Sequence, residues 1–546
     1  MRIRQTRQRR RTGVGIAVVV AFCEPWGATV PTALALQHDR LAGEPHKLAG
    51  HRLVFTTWAF VRPGQLDWQD ASGKSVYAGD AKLGPTEARF ATIDSPRGVR
   101  LVAEPARRIG PILAAEKPWE AMGVSAGILL HEDGKYRLWG GGQDAEGKRY
   151  ACYFESADGR NWQRPNLGLV EFNGSRENNL LLGGGSVFKD PTAPTEERYK
   201  AVWHGDFPPK RFEEYKQRRP WSVPATQFDP GRVHSIRAAV SPDGLRWTEL
   251  ADSISVEPSD THIVAYYDAQ LGKYVMYTRN YMVGPRAEEF TEPMARRSEF
   301  VARRAIGRSE TANFREFPLS EVVIEPGNDM PPTDTCYTNC RTSIPGAWDL
   351  HLMFPAIYHQ ADDTTSVVLF TSLDGKVWHS MPGPAVLKTA DFGQWDGGCV
   401  FAVPSLVELA NGDWALAYTG YAYPHKYPRG SWRYGVGLAV WPKGRLVALA
   451  ADEIGEFTTT AFLAPGTRLR INAVTARAGS IQIEAADLAG KPIPGRSFDD
   501  ALPIVGDHFW TPVTWKNAAD LGVQKGEPIE FRFRLKMARI YGVQFN

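Results

Sequence analysis

The 546-residue sequence predicts an all-β protein, a five-bladed β-propeller followed by a C-terminal β-sandwich. Three observations carry this expectation. A signature S-x-D-G-x-x-W occurs three times, as SADGRNW from Ser156, SPDGLRW from Ser241 and SLDGKVW from Ser372, with a looser copy at Thr311, Asn313 and Phe317. The composition, with 52 Gly, 39 Pro, 17 Trp, 19 Tyr and 25 Phe, suits many short strands joined by turns. After Gly455 strand-like alternation continues without another copy. An Asp-Gly pair makes the left-handed turn of a tight hairpin, the Ser bonds the turn backbone, and the Trp opens the next strand with a large apolar face. The copies stand 85, 70 and 61 residues apart, and a hairpin repeated at that period indicates an array of similar sheets. Two packed sandwiches sharing the hairpin are the alternative.

In chain order, six arginines precede a short apolar run from Val14 to Phe22, and Ala33-Leu34-Ala35 offers small residues for cleavage. This is the layout of a bacterial export signal over residues 1–35, with Arg9-Arg10-Arg11 allowing the twin-arginine route, and predicts a secreted or periplasmic protein. An interfacial anchor is the alternative. The segment holds six of the 64 basic residues and one of the 61 acidic ones, which leaves 58 against 60 and a net charge of −2. That balance argues against nucleic acid or an anionic membrane surface as partner. No run of 18 apolar residues or long heptad pattern is present, so no membrane span is expected.

Residues 36–117 read as an N-terminal β extension. Hairpins then follow regularly: GILLHEDGKYRLWGGG from Gly127, RYKAVWHG from Arg198, HIVAYYDAQLGKYVMYTRNY from His262, LHLMFPAIYH from Leu350 and SLVELANGDWALAYTGY from Ser405. They group into five units, 118–175, 176–258, 259–325, 326–390 and 391–450. A polar insertion runs from Phe207 to Gly231, and a basic, helix-compatible insert from Glu288 to Arg304. Residues 455–546 form the sandwich. Cys152, Cys336, Cys340 and Cys399 match no zinc spacing and read as buried thiols, although a turn between Cys336 and Cys340 would permit a bridge.

The segments EKPWE, GKYRLW, YFESADGRNWQRPNLGLVEFNGSRENN and FKDPTAPTEERYKAV, with the terminal sandwich, resemble a group of bacterial exported proteins described as similar to the N-terminal domain of glycosyl hydrolase family 32. The resemblance runs from about Glu116 to Asn546 and is much weaker to the invertases, fructanases, arabinanases and xylosidases of families 32 and 43. It implies a five-bladed propeller, a terminal sandwich and a carbohydrate substrate. The family-32 N-D-P-N nucleophile motif and Glu-Cys acid motif have no counterpart here, and the resemblance matches its R-D-P motif to Lys189-Asp190-Pro191, with Lys in place of Arg.

Glycoside cleavage needs two carboxyl groups flanking the bond. Each unit carries an acid beside its expected inner strand: Glu120 in KPWEAMG, Asp190 in FKDPTAP, Asp260 in PSDTHIV, Asp334 in PTDTCYTN and Asp396 in QWDGGCVF. Turn chemistry explains any one of them, but five in equivalent positions suggest a wet channel. Asp260, Asp334 and Asp396 rank first, because each directly precedes a strand-like apolar run. Arg279, Arg304, Arg308 and His425 are candidates for binding sugar hydroxyls, and Trp119 and Trp395 for stacking on a sugar face; packing between blades and surface pairing are the alternatives. Asp158, Asp243 and Asp374 of the repeats are turn formers. No metal ligands or cofactor are assigned, a calcium or sodium ion on the axis being a structural option among the acids. The expected function is an exported glycosidase, a monomer or small homo-oligomer. The alternatives are a silent carbohydrate-binding propeller and a sialidase-like enzyme, for which Arg279, Arg304 and Arg341 would form the arginine cluster.

Overall fold

The computed structural model describes residues 44–70, 72–75, 89–218, 233–257, 259–282, 303–426 and 433–546. The expected export signal and nearly all of the insert from Glu288 lie outside them. The chain forms a five-bladed β-propeller followed by a β-sandwich. Blade 1 comprises Gly123–Glu132, Lys135–Gln143, Arg149–Ser156 and Leu180–Leu181, each antiparallel to the next. Blade 2 comprises Ser186–Lys189, Tyr199–Phe207, Val233–Ser241 and Thr248–Glu249. Blade 3 comprises Val264–Asp268, Lys273–Tyr281, Arg304–Thr311 and Glu321–Ile324. In blade 4 every strand is interrupted, so that its inner strand, for example, is Asp334–Cys336 followed by Arg341–Ile344.

Blade 5 contains Cys399–Glu408, Trp414–Tyr421 and Tyr434–Trp441, and takes its outermost strand from Arg107–Leu113. The expected N-terminal extension therefore supplies a propeller strand. It also supplies Arg100–Ala103, paired with Val447–Thr458, and Arg52–Leu53, paired with Pro528–Phe545, both in the sandwich sheet. A parallel bridge between Tyr434 and Gly123 joins blade 5 to blade 1. Separate apolar clusters fill the seams. Trp139, Tyr153, Val187 and Tyr199 lie between blades 1 and 2, and Leu138, Phe154, Val403 and Val436 between blades 5 and 1. The seam of blades 4 and 5 runs on into the sandwich, where Phe457 and Phe533 stack at 4.6 Å. The two 18-residue sandwich strands, Leu469–Ala486 and Pro528–Phe545, carry register shifts that let them bend around this core.

The three signatures share one geometry. The Ser Oγ accepts the Gly N–H at 2.9 Å in each copy, and an Asp Oδ1 accepts the two N–H groups that follow the Gly at 2.8 Å. The structure adds a role beyond the expected turn. Each Gly sits against the preceding blade: Trp139 Nε1 donates to the Gly244 carbonyl and Tyr277 Oη to the Gly375 carbonyl, both at 2.6 Å. The repeat therefore clamps neighbouring blades. Gly375 has φ +66°, and an added Cβ would stand 2.7 Å from Tyr277 Oη. Gly375→Ala is thus expected to cost about 2–3 kcal/mol, against about 1 kcal/mol for Gly134→Ala, measured by denaturant unfolding. Gly134 has φ +73° and nothing within 4 Å of such a Cβ.

All four described cysteines are free and buried. Burial pushes the Cys152 and Cys336 thiols up to about 12. Among the described residues no helix is long and apolar enough to cross a membrane.

Candidate functional site

Along each inner strand the chain runs toward the end of the blade that carries the signatures, so the opposite end collects the residues that precede inner strands and those that finish second strands. A cavity of about 220 Å³ opens there, lined by Ala126 and Gly127 of blade 1, Ser186 and His204 of blade 2, the segment entering blade 3, and Pro404 of blade 5. Asp260 lies on its wall with a half-exposed side chain.

Asp260 is ion-paired with Arg279, near the end of the second strand of blade 3. The Arg279 side chain is only 2% exposed, and its guanidinium carbon lies 5.3 Å from the centre of the Tyr281 ring. Burying a guanidinium is tolerable only with a partner, so Arg279 and Asp260 hold each other in place. Arg304 opens the next strand and lays its guanidinium 4.3 Å over the ring of Tyr337. Tyr337 sits in the break of the blade 4 inner strand, where its carbonyl accepts the Thr261 hydroxyl at 3.1 Å. Its phenol is hydrogen-bonded to His425 Nε2 at 2.7 Å, and the imidazole is enclosed by Tyr337, Tyr358 and Phe401. Burial raises the Tyr337 phenol above its usual range, the charge of Arg304 opposes that, and Asp260 adds to it. The phenol therefore keeps its proton at neutral pH.

Two histidines complete the wall. His204 Nε2 is 2.8 Å from His234 Nδ1, with the rings stacked at 4.9 Å. Burial lowers His204 below the usual imidazole range, and the neighbouring His234 lowers it further. His262 is buried in the cavity lining, and burial alone takes it down to about 4. Both imidazoles are accordingly neutral at pH 7.

Of the expected site residues, the structure gathers Asp260, Arg279, Arg304 and His425 into this region and places the others elsewhere. Asp334 is buried against His359 Nδ1 at 2.9 Å, and its carbonyl accepts Arg303 Nε. Glu120 has no exposed surface. It receives Arg164 Nε at 2.9 Å and Nη2 at 3.0 Å, so it serves as a buried anchor for the loop after the first signature. Asp190 corrects the expected equivalence of the five acids. It follows the blade 2 inner strand instead of preceding it, at the opposite end of the blade, and is buried against Lys200 Nζ at 2.9 Å and Tyr274 Oη at 2.7 Å. Asp396 and Trp395 line a different cavity with Arg108 and Tyr418.

Arg308 is buried beside Glu310, with Nη1 2.7 Å from Oε2, in the seam of blades 3 and 4. Trp119 is buried, donating to Asn179 Oδ1 at 3.1 Å. Arg341 is likewise buried, 3.5 Å over the Tyr266 ring and bonded to His351 Nδ1 at 2.5 Å, so it does not join Arg279 and Arg304. Among the described residues no three His, Cys, Asp or Glu side chains stand together as metal ligands would.

Tyr337, His204 and His262 were not singled out by sequence. A usable signal exists for His204, because it stands near the end of the second strand of blade 2 as Arg279 does in that of blade 3.

No protein-family model and no curated protein matches the chain. Solved structures similar to it include a thermostable family-43 glycoside hydrolase, at 12% identity over 58% of this chain and 88% of that one, with a TM-score of 0.37. A family-32 β-fructofuranosidase from Bombyx mori is 8% identical over 81% of this chain and 94% of its own, with a TM-score of 0.35. An N-acetylgalactosamine deacetylase from F. plautii, solved with blood group B trisaccharide, is 11% identical over 63% and 95%, with a TM-score of 0.36. These likenesses are remote, and the architecture rests on the strand order of the sheets themselves.

Proposed function

We propose that the protein is an exported carbohydrate-active hydrolase that takes a saccharide into the cavity at the inner-strand entry end of the propeller. Asp260 is its reacting carboxylate, and the Tyr337–His425 pair is its proton-carrying partner. The observation that supports this best is the half-exposed Asp260 carboxylate, fixed by a buried guanidinium on the wall of the cavity. A carboxylate in that position attacks the anomeric carbon or activates water, and the hydroxyl–imidazole pair supplies a proton to the leaving oxygen. Asp334 is committed to His359, so the reading pairs the carboxylate with a phenol and an imidazole instead of a second carboxylate. The basic leader at residues 1–35 supports an exported setting.

The test is a screen of residues 36–546 against oligo- and polysaccharides for reducing-end release. On the responsive glycan, Tyr337→Phe and His425→Gln are each expected to lower kcat by about 10²-fold or more with KM changed only a few-fold. Binding without cleavage across the panel, or cleavage indifferent to both changes, would count against the reading.

A further inference from the structure

We propose a second saccharide-binding site, apart from the central cavity, on the face of blade 5 beside its outermost strand, taking a neutral pyranose unit of a polymer. A cavity of about 340 Å³ is lined there by Arg108, Asp391, Gln394, Trp395, Asp396 and Tyr418 among others, and it shares no lining residue with the central cavity. Its volume falls within the range of small-ligand sites, about 300–1,000 Å³.

The sheet beneath is built to seat one indole. A Cβ on Gly110, Gly420 or Gly437 would come within 3.1, 2.6 and 2.8 Å of the Trp395 ring, so three different strands are stripped of side chains where it rests. Tyr418 stacks on it at 5.6 Å with an interplanar angle of 23°. A rigid, partly exposed aromatic ring suits the apolar C–H face of a pyranose.

Asp391, Gln394 and Arg108 are exposed around it, whereas Asp396 is buried and adds its charge from beneath. Asp396 is held by the Tyr418 hydroxyl at 2.8 Å and by Arg108 at 3.6 Å, both on Oδ2. Asp391 and Gln394 are exposed, and among the described residues no side-chain hydrogen bond or ion pair engages either of them. An exposed carboxylate, an amide and a guanidinium beside an aromatic ring can bind the hydroxyls of one sugar ring. Two carboxylates against one guanidinium disfavour an acidic sugar, which makes the ligand a neutral one. In the same loop Phe392 is 78% exposed. A polymer held here raises the local concentration of its own segments at the central cavity, as in any two-site attachment.

The experiment is affinity gel electrophoresis of residues 36–546 in gels containing xylan, galactomannan, a β-glucan, a fructan or polygalacturonate. At least one neutral polymer is expected to retard the wild type and Asp260→Asn equally. Asp391→Ala/Gln394→Ala should bind it at least tenfold more weakly with an unchanged Tm, and Trp395→Phe, which keeps an aromatic ring on the glycine floor, several-fold more weakly. The proposal is overturned if no neutral polymer retards the wild type, if polygalacturonate alone does, or if the double variant is retarded like the wild type. Retardation lost in Asp260→Asn but kept in the double variant would also overturn it, and would place all binding in the central cavity. An Asp260→Asn protein that has lost cleavage yet keeps retardation separates this site from the catalytic reading.

Discussion

Asp260→Asn is expected to lower turnover on the responsive glycan by about 10²–10⁴-fold, the range lost when a reacting or proton-transferring group is removed. Asn retains an oxygen that can accept a hydrogen bond from Arg279, so the geometry of the cavity wall is kept while the charge and the nucleophile or base are lost. The change removes the Asp260 charge from the Arg279 guanidinium. Breaking a fully buried pair costs about 3–5 kcal/mol, but the Asp260 side chain is 49% exposed, and solvent screening reduces that cost. A small drop in Tm with a large drop in kcat is therefore the expected pattern. Steady-state kinetics on the variant, run beside thermal unfolding, separate the two effects. Turnover within threefold of the wild type would remove Asp260 from the chemistry and with it the proposed site.

The strands were legible because hairpins announce themselves locally. Asp133-Gly134 and Asn411-Gly412 stand between alternating apolar runs, and the structure turns at both. The outer strand of blade 5 was not legible. Arg107–Leu113 pairs with Tyr434–Trp441 more than 300 residues away, and nothing local in RRIGPIL specifies that partner. The same limit governed the site. The sequence marks Asp260 and Arg279 as residues of the right chemistry, yet their ion pair forms because the first strand of the hairpin begins where the second finishes.

Asp190 shows how a small error in strand phase moves a residue across a blade. Its inner strand is only four residues long, and Asp190-Pro191 is the turn out of that strand. CYTN reads as an apolar strand, whereas the strand breaks at Tyr337 and presents its hydroxyl to His425.

The placement of Asp190 leads to a large expected effect on stability. Lys200 is only 2% exposed, and its ammonium contacts Asp190 Oδ2 at 2.9 Å. The ring of Tyr274, whose hydroxyl bonds the same oxygen at 2.7 Å, packs on Phe314, 5.4 Å away, in the seam of blades 2 and 3. Asp190→Ala removes the carboxylate from a phenol and from a buried ammonium that retains the Glu197 carbonyl at 2.9 Å, and the expected loss is about 3–5 kcal/mol. Lys200→Met with Asp190→Leu, which removes both charges, should recover a large part of it, since a buried pair replaced by apolar residues is often neutral.

The pH dependence follows from the native carboxyl. Burial raises the pKa of Asp190, but the hydrogen bonds from Tyr274, Lys200 and Thr192 outweigh it and leave the group lowered. A lowered native value means that the carboxylate stabilises the fold fully above the unfolded value of about 3.9, and that this stabilisation fades as pH falls through the native value. Denaturant midpoints of the wild type and Asp190→Asn are thus expected to differ most near neutral pH and to converge in acid below about pH 4. A gap that stayed constant down to pH 2 would mean that the pair is not what holds blades 2 and 3 together.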